Sequence, residues 1–401
     1  MSVRKGMIAF ALLLCIMVSS AAAMGQIVTP EQMLKQIFTA EVVSDDWFSA
    51  AFLAQVPVSQ LSAIVKQYCA ALGALEEVQG NAPAFRLTFS RGYVAAQIAL
   101  DGAGRVAGFF LGPPEPRASG LDDALDGFRK LPGKVSVLVV SQSGVLAELS
   151  PEQPLAVGSA FKLAVLAALK DQVAAGALAW DDVVTLEASH ISLPSGILQS
   201  WPVGSPLTVH TLASLMISVS DNTATDSLIA LLGRESIENY TALNRPLLTT
   251  REASTLKHPA NADHLEAYRQ GDATQRREVL KELQSLPLPE FGAADFTSPQ
   301  ALDVEWFFSA YELANLMAAV QDVSVFSINP GVASPADWQH IAFKGGSEPG
   351  VINLTTWLVG QSGMNYCVVA TWNNDEVVDE AQFVGLYSGI LRQLTEIDAK
   401  P

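Results

Sequence analysis

Between Thr29 and Val78, apolar residues recur at spacings of three and four: Met33, Ile37 and Phe38, then residues 47–53, then residues 61–72. That period predicts a succession of helices, each with one apolar stripe. From residue 85 it gives way to short runs rich in aromatic and β-branched residues. Residues 85–90, 93–100 and 106–111 read as three strands of a meander, with turns at Ser90-Arg91-Gly92 and Asp101-Gly102-Ala103-Gly104. Helices followed by an antiparallel sheet predict a small α+β unit over residues 26–112. Gly112-Pro113-Pro114-Glu115-Pro116 then predicts a linker over residues 113–120.

A second unit is predicted over residues 121–398. It opens with a short helix near residues 121–131 and a hairpin of residues 134–141 and 145–149 around Gln142-Ser143-Gly144. Residues 161–169 are apolar around almost the whole circumference of a helix, which predicts a buried central helix ending near Gly176. From there to about residue 340 the pattern is mostly helical. Strand character returns at residues 341–344, 351–358 and 366–372. A helix over about residues 379–397 closes the chain with Phe383, Tyr387, Ile390, Leu391 and Leu394 on one face. Early and late strands separated by helices predict an α/β (α+β) domain, with one antiparallel sheet flanked by helices and completed around a helical insertion.

Composition sharpens this picture in three respects. A chain of 401 residues, 49% of them hydrophobic, can bury more than one core. Arg4 and Lys5 precede an apolar run over residues 7–18 and the small residues Ala21-Ala22-Ala23, so residues 1–23 have the layout of a secretory signal peptide and predict an exported, periplasmic or extracellular protein. The formal net charge is -17, and loss of Arg4 and Lys5 with the leader makes the mature chain more acidic still, which argues against a nucleic-acid partner. Beyond the leader only Cys69 and Cys367 remain, far apart in sequence, and they are expected to be free thiols. The five histidines lack metal-ligand spacing; neither metal nor cofactor is expected, and nothing in the sequence specifies an oligomer.

The candidate chemistry lies in three fragments. Ser159-Ala160-Phe161-Lys162 opens the apolar helix, Ser220-Asp221-Asn222 falls at a turn between two helical stretches, and Lys344-Gly345-Gly346 ends an apolar strand and precedes Ser347. Ser-x-x-Lys also occurs at Ser2 to Lys5 and Ser254 to Lys257, so context decides in favour of Ser159. A serine hydroxyl needs a neighbouring base. Residues i and i+3 share a helix face, which puts the Lys162 amine within reach of the Ser159 oxygen, and burial lowers a lysine's basicity into a usable range. At the turn, Ser220 can relay a proton to a leaving nitrogen, Asp221 can hold the turn, and Asn222 can hydrogen-bond a substrate amide. Lys344 can attract a carboxylate, the glycines Gly345 and Gly346 allow close approach of a ligand, and the Ser159 and Ser347 amides can form an oxyanion hole. Taken singly, each fragment also has a structural explanation, as a capping serine, an Asx turn or a glycine turn.

In this order and context the three fragments resemble the serine β-lactamase and penicillin-binding protein superfamily, in the class A arrangement. The spacing is similar too: Ser220 lies 61 residues after Ser159, and Lys344 lies 122 after Asn222. The resemblance covers roughly residues 120–398 and implies a class A β-lactamase-like fold. It also implies Ser159 as nucleophile, Lys162 and Ser220 as proton carriers, and Asn222, Lys344, Gly346 and Ser347 as substrate-binding positions. Two departures stand out. Gly345 replaces the hydroxyl residue of Lys-Thr-Gly, and no Glu-x-x-x-Asn deacylation element follows Ser220; Glu252, in Thr249-Thr250-Arg251-Glu252, is the candidate base. The whole chain also resembles two-domain serine hydrolases whose small first domain is steroid-isomerase-like, of the cystatin-like type, here with a packing or binding role. The expected activity is acylation of Ser159 by a β-lactam or related acyl substrate. An esterase or D-Ala-D-Ala peptidase shares these motifs, and a non-catalytic binding protein for cell-wall fragments or β-lactams is the alternative of another class. The indole of Trp201 is a candidate for the cleft wall.

Overall fold

The computed structural model describes residues 28–193, 195–290 and 297–400. The expected leader, residues 1–23, lies outside them. In the first unit, helices α1 (Pro30–Thr39), α2 (Ala50–Leu53) and α3 (Val58–Leu72) accompany a sheet of β1 (Leu75–Asn81), β2 (Ala84–Phe89), β3 (Gly92–Leu100), β4 (Val106–Leu111) and β5 (Glu115–Pro116). Thr29 and Gln32 form a capping box at the start of α1. The apolar face of α1, Met33, Leu34, Ile37 and Phe38, is buried in one cluster with Leu87, Phe89 and Val94 of the sheet.

Two parts of this unit differ from the sequence-based expectation. The helical pattern read through Val78 ends at Leu72, because Gly73 takes a left-handed φ of 86° where any side chain would collide with Ser90 Oγ; residues 75–81 then pair with β2 as a fourth meander strand. The proline-rich segment expected as a linker is docked. Glu115 and Pro116 pair with Tyr93 and Gly92, and the backbone around Pro114 lies so close to the final helix that a side chain at Gly385 would meet the Pro114 carbonyl at 2.1 Å.

The second unit begins with α4 (Leu121–Arg129) and the hairpin β6 (Lys134–Ser141) and β7 (Gly144–Leu149), then the short β8 (Leu155–Ala156). A mainly helical stretch comes next: α5 (Lys162–Ala174), the pair β9 (Val183–Thr185) and β10 (Pro206–Thr208), α6 (Val209–Ser218), α7 (Asn222–Leu232), α8 (Arg234–Ile237), α9 (Thr250–Lys257), α10 (Ala262–Gln270) and α11 (Ala273–Leu283). The chain returns through β11 (Phe307–Phe308) and α12 (Ala310–Val320) to β12 (His340–Glu348), β13 (Val351–Val359), β14 (Asn365–Asn373) and α13 (Glu380–Asp398). The five long strands form one antiparallel sheet in the order β12-β13-β14-β6-β7.

The early hairpin and the late strands thus complete one sheet around the helical insertion. Strand β14 is central and buried on both faces, which explains its unbroken apolar run. Val368, Ala370 and Trp372 belong to the core beneath α4 and α13, whereas Cys367 and Val369 face the core shared with α5 and α12. Every residue of α5 from Lys162 to Leu169 is buried, as the all-round apolar pattern requires, because this helix lies between the sheet and the helical insertion. Cys69 and Cys367 are free thiols.

One ionic cluster fastens the two units. The Arg392 guanidinium of α13 pairs with Glu115 and lies 4.0 Å above the Tyr93 ring of β3, while Gln393 donates to the Ala118 carbonyl at 3.0 Å. Removing the guanidinium leaves the mostly buried Glu115 carboxylate unpaired. Arg392→Ala is therefore expected to cost about 3 kcal/mol of stability and to open residues 112–118 to limited proteolysis; an unchanged cleavage pattern would show that the junction is held by other contacts.

Candidate active site

The Ser159 turn is built by contacts from three directions. Asn373 of β14 clamps the Ala156 backbone, accepting from its N–H at 2.8 Å and donating to its carbonyl at 2.9 Å. Gly158 takes a left-handed φ of 49°, and residues 158–161 make a tight 3-10 turn that runs into α5. Phe161 stacks on Trp306 with ring centroids 4.1 Å apart, which pins the end of the turn. Strand β12 passes so close that a side chain at Gly346 would lie 2.3 Å from the Val157 carbonyl oxygen and 2.4 Å from the Ser159 nitrogen. The Cβ position of Gly158 is in turn 3.4 Å from the Ser347 nitrogen, so the Ser347 amide adjoins the Ser159 turn.

The second wall is the connection between α6 and α7. Asp221 caps α7 by accepting from the Ala224 N–H at 2.8 Å, and its other oxygen accepts the Ile197 and Leu198 amides at 2.7 and 2.9 Å. Asp221 thereby ties the loop after Ser195 to the helix start. Ser220, just before it, is held at a positive φ of 55°, a strained conformation for a residue with a side chain, and the Ser195 hydroxyl donates to its carbonyl at 2.7 Å. Strain at this position turns the Ser220 hydroxyl toward two lysines.

Lys162, fully buried, donates to the Ser220 carbonyl at 2.7 Å, to Ser220 Oγ at 3.1 Å and to Asn222 Oδ1 at 2.7 Å. Lys344 donates to the same Ser220 Oγ at 3.1 Å and to the Gly345 carbonyl. Burial, reinforced by the neighbouring Lys344 charge, holds the Lys162 amine well below its ordinary basicity. Burial alone brings Lys344 down to about 7. Ser159, Ser220, Asn222, Lys344, Gly346 and Ser347 all line one cleft of about 590 Å³. Among the described residues no hydrogen bond joins Lys162 to the Ser159 hydroxyl; the amine faces Ser220 and Asn222. Such a cleft brings together a serine hydroxyl, an amine of lowered basicity, a second serine bridging two amines, and a lysine beside the strand edge.

Glu252 is not brought to this cleft. Both its oxygens are engaged by Arg234, at 2.6 and 2.9 Å, and one also accepts the Thr249 amide at 2.8 Å as the second half of a capping box on α9. The sequence carried that signal, since Thr249 followed three residues later by Glu252 is a helix-start pattern. Residues of α9 that do line the cleft are Thr250, Ala253, Ser254 and Lys257, with Lys257 paired to Glu305 and Glu348. Trp201 is exposed and lies outside the cleft lining. Motif reading passed over Asp226, a buried carboxylate one turn into α7, because nothing in its local pattern distinguishes it from an ordinary helix residue.

The chain matches the model of the beta-lactamase enzyme family over residues 120–320 and belongs to that family. Its second unit has the class A β-lactamase-like fold, and the match includes Ser159, Lys162 and Ser220-Asp221-Asn222. Similar solved structures include a beta-lactamase from Sphaerobacter thermophilus, 20% identical over 71% of this chain and 99% of that one, with a TM-score of 0.49. PBP-A is 16% identical over 71% of this chain and 99% of its own, with a TM-score of 0.47. A beta-lactamase from Chitinophaga pinensis is 19% identical over 69% and 98%, with a TM-score of 0.45. No curated protein matches the chain.

The Glu252–Arg234 pair and the buried Lys344 amine are open to direct measurement. Glu252→Gln keeps an acceptor for the Thr249 amide but discharges the buried pair with Arg234, and should lower stability by about 3 kcal/mol in denaturant titrations; a loss under about 1 kcal/mol, the scale of an exposed pair, would mean that Arg234 does not depend on it. The unfolded chain keeps a proton on Lys344 up to its ordinary value of 10.5, whereas the folded chain keeps it only to about 7. Between those values the unfolded state binds more protons, so stability rises with pH. Wild type is expected to gain stability relative to Lys344→Met as pH increases from 7 to 9, and parallel curves for the two proteins would contradict the lowered basicity.

Proposed function

We propose that this protein is an exported serine hydrolase that is acylated at Ser159 by a β-lactam or a related acyl substrate. The observation that carries the reading is the placement of a fully buried, weakly basic Lys162 one helical turn from Ser159 and joined through Ser220 to Lys344 in the same cleft. As a neutral amine, Lys162 takes the Ser159 proton while the serine oxygen attacks the substrate carbonyl. The Ser159 and Ser347 amides receive the negative charge that builds on the carbonyl oxygen. Ser220, in contact with both lysines, passes a proton from Lys344 to the departing nitrogen, and Lys344 regains one from solvent. Lys344 draws the substrate carboxylate, and that carboxylate favours the charged form of the lysine; Gly345 adds no hydroxyl there. The apolar leader expected at residues 1–23 fits a protein that meets such substrates outside the cytoplasm. The first unit has a packing role in this reading, through the Arg392 junction.

A fluorescent penicillin tests the proposal. Wild type should form one covalent adduct, Ser159→Ala none, and Lys162→Ala should label about 100-fold more slowly. An unlabelled wild type overturns acylation by β-lactams, and equal labelling of Ser159→Ala overturns the nucleophile. A panel of penicillins, cephalosporins, simple esters and D-Ala-D-Ala peptides then ranks lactamase, esterase and peptidase activity, and binding without turnover of any of them identifies a non-catalytic binding protein.

A further inference from the structure

Resting on that acylation reading, we propose that Thr250 and Asp226 resolve the acyl-enzyme: the Thr250 hydroxyl holds the attacking water, and Asp226 receives the proton. Thr250 is the first residue of α9 and lines the cleft together with Ser159 and Asn222. Its amide donates to Asp226 Oδ1 at 2.8 Å and the Arg251 amide donates to Oδ2 at 2.8 Å, so two backbone groups fix the carboxylate against the helix start. The single hydrogen of Thr250 Oγ1 has two close acceptors, Asp226 Oδ1 and Ser192 Oγ, both at 2.8 Å. An ionised Asp226 is the stronger acceptor and draws that hydrogen. With that hydrogen directed to Asp226, the Ser192 hydroxyl donates to one Thr250 lone pair, and the second lone pair accepts a hydrogen from water in the cleft. The same oxygen lies 3.3 Å from the backbone carbonyl of Asn222, whose side chain holds Lys162, so the hydroxyl adjoins the proton-handling end of the site.

Asp226 accepts the first two amides of α9 but has no cation to balance its charge. It is buried, and among the described residues no lysine or arginine forms an ion pair with it. Burial pushes its carboxyl up to about 7 in spite of the three hydrogen bonds it accepts, which suits a proton acceptor near neutral pH. The charged groups coupled to it are Lys162 from α5 and Glu252 from α9, with Arg234 of α8 clamped on Glu252, while the Arg251 guanidinium turns to the Ile191 and Leu286 carbonyls. His210, on α6, bonds Ser324.

In the deacylation step the water oxygen bonds to the acyl carbon while one of its hydrogens moves to Thr250 Oγ1 and the Thr250 hydrogen moves to Asp226. The carbon–oxygen bond to Ser159 then breaks, and the serine oxygen takes a proton from the Lys162 ammonium. That transfer returns Lys162 to the neutral amine, and the acid product and Asp226 each release a proton to solvent, leaving a carboxylate product and the starting enzyme.

The test tracks the fluorescent-penicillin adduct of the full chain by mass spectrometry in wild type, Thr250→Val and Thr250→Ser. All three should acylate. Thr250→Val keeps the size of the side chain and both backbone bonds to Asp226, yet its adduct should decay about 100-fold more slowly; Thr250→Ser should restore decay close to wild type. The wild-type decay rate should rise with pH through about 7 as Asp226 ionises, and Thr250→Val should lose that rise. A Thr250→Val adduct that decays at the wild-type rate, or a wild-type adduct that persists as long as the variant's, overturns the proposal while leaving acylation standing. A wild type that forms no adduct overturns the acylation reading itself.

Discussion

The cleft depends on keeping the Lys162 amine out of water. A lysine without solvent must have its donors satisfied, and Lys162 finds all three acceptors on the single turn between α6 and α7. That turn therefore has to present the Ser220 carbonyl, the Ser220 hydroxyl and the Asn222 amide oxygen in one direction. It does so by placing Ser220 in a left-handed conformation, and Asp221 stabilises the conformation by tying together the α7 start and the loop after Ser195. The buried helix α5, the strained turn and the approach of β12 at Gly346 are three consequences of housing one amine beside one hydroxyl.

The two carboxylates near this turn are used in opposite ways. Glu252 has a cation partner and a backbone donor, and its charge serves to anchor α9. Asp226 has backbone and hydroxyl donors with no cation, and its affinity for a proton is raised by the same burial that lowers the basicity of the two lysines. Because Arg234 satisfies Glu252 completely, α9 can turn a different residue, Thr250, toward the cleft. Where a Glu-x-x-x-Asn element is absent, the cleft face of α9 carries Thr250, Ala253, Ser254 and Lys257.

The junction between the units obeys similar logic on a coarser scale. A proline-rich segment pairs poorly within a sheet, yet two residues of it suffice to pair with β3, and Gly385 lets α13 close over the segment. Arg392 then bridges both units by pairing with Glu115 and covering Tyr93.

Much of this protein was legible from its residues. The all-round apolar run from Phe161 to Leu169 required a buried helix, alternating and continuous apolar runs located the strands of the large sheet, and the order Ser159, Lys162, Ser220, Lys344 pointed to the family. These features are local or depend only on order. The partner of Glu252, the place of Thr250 in the cleft wall, the lack of a cation beside Asp226 and the docking of Glu115 were settled only when distant segments packed together. A side chain's charge and hydrogen-bonding capacity are written in the sequence, whereas the group that satisfies them is supplied by whichever element the fold brings alongside.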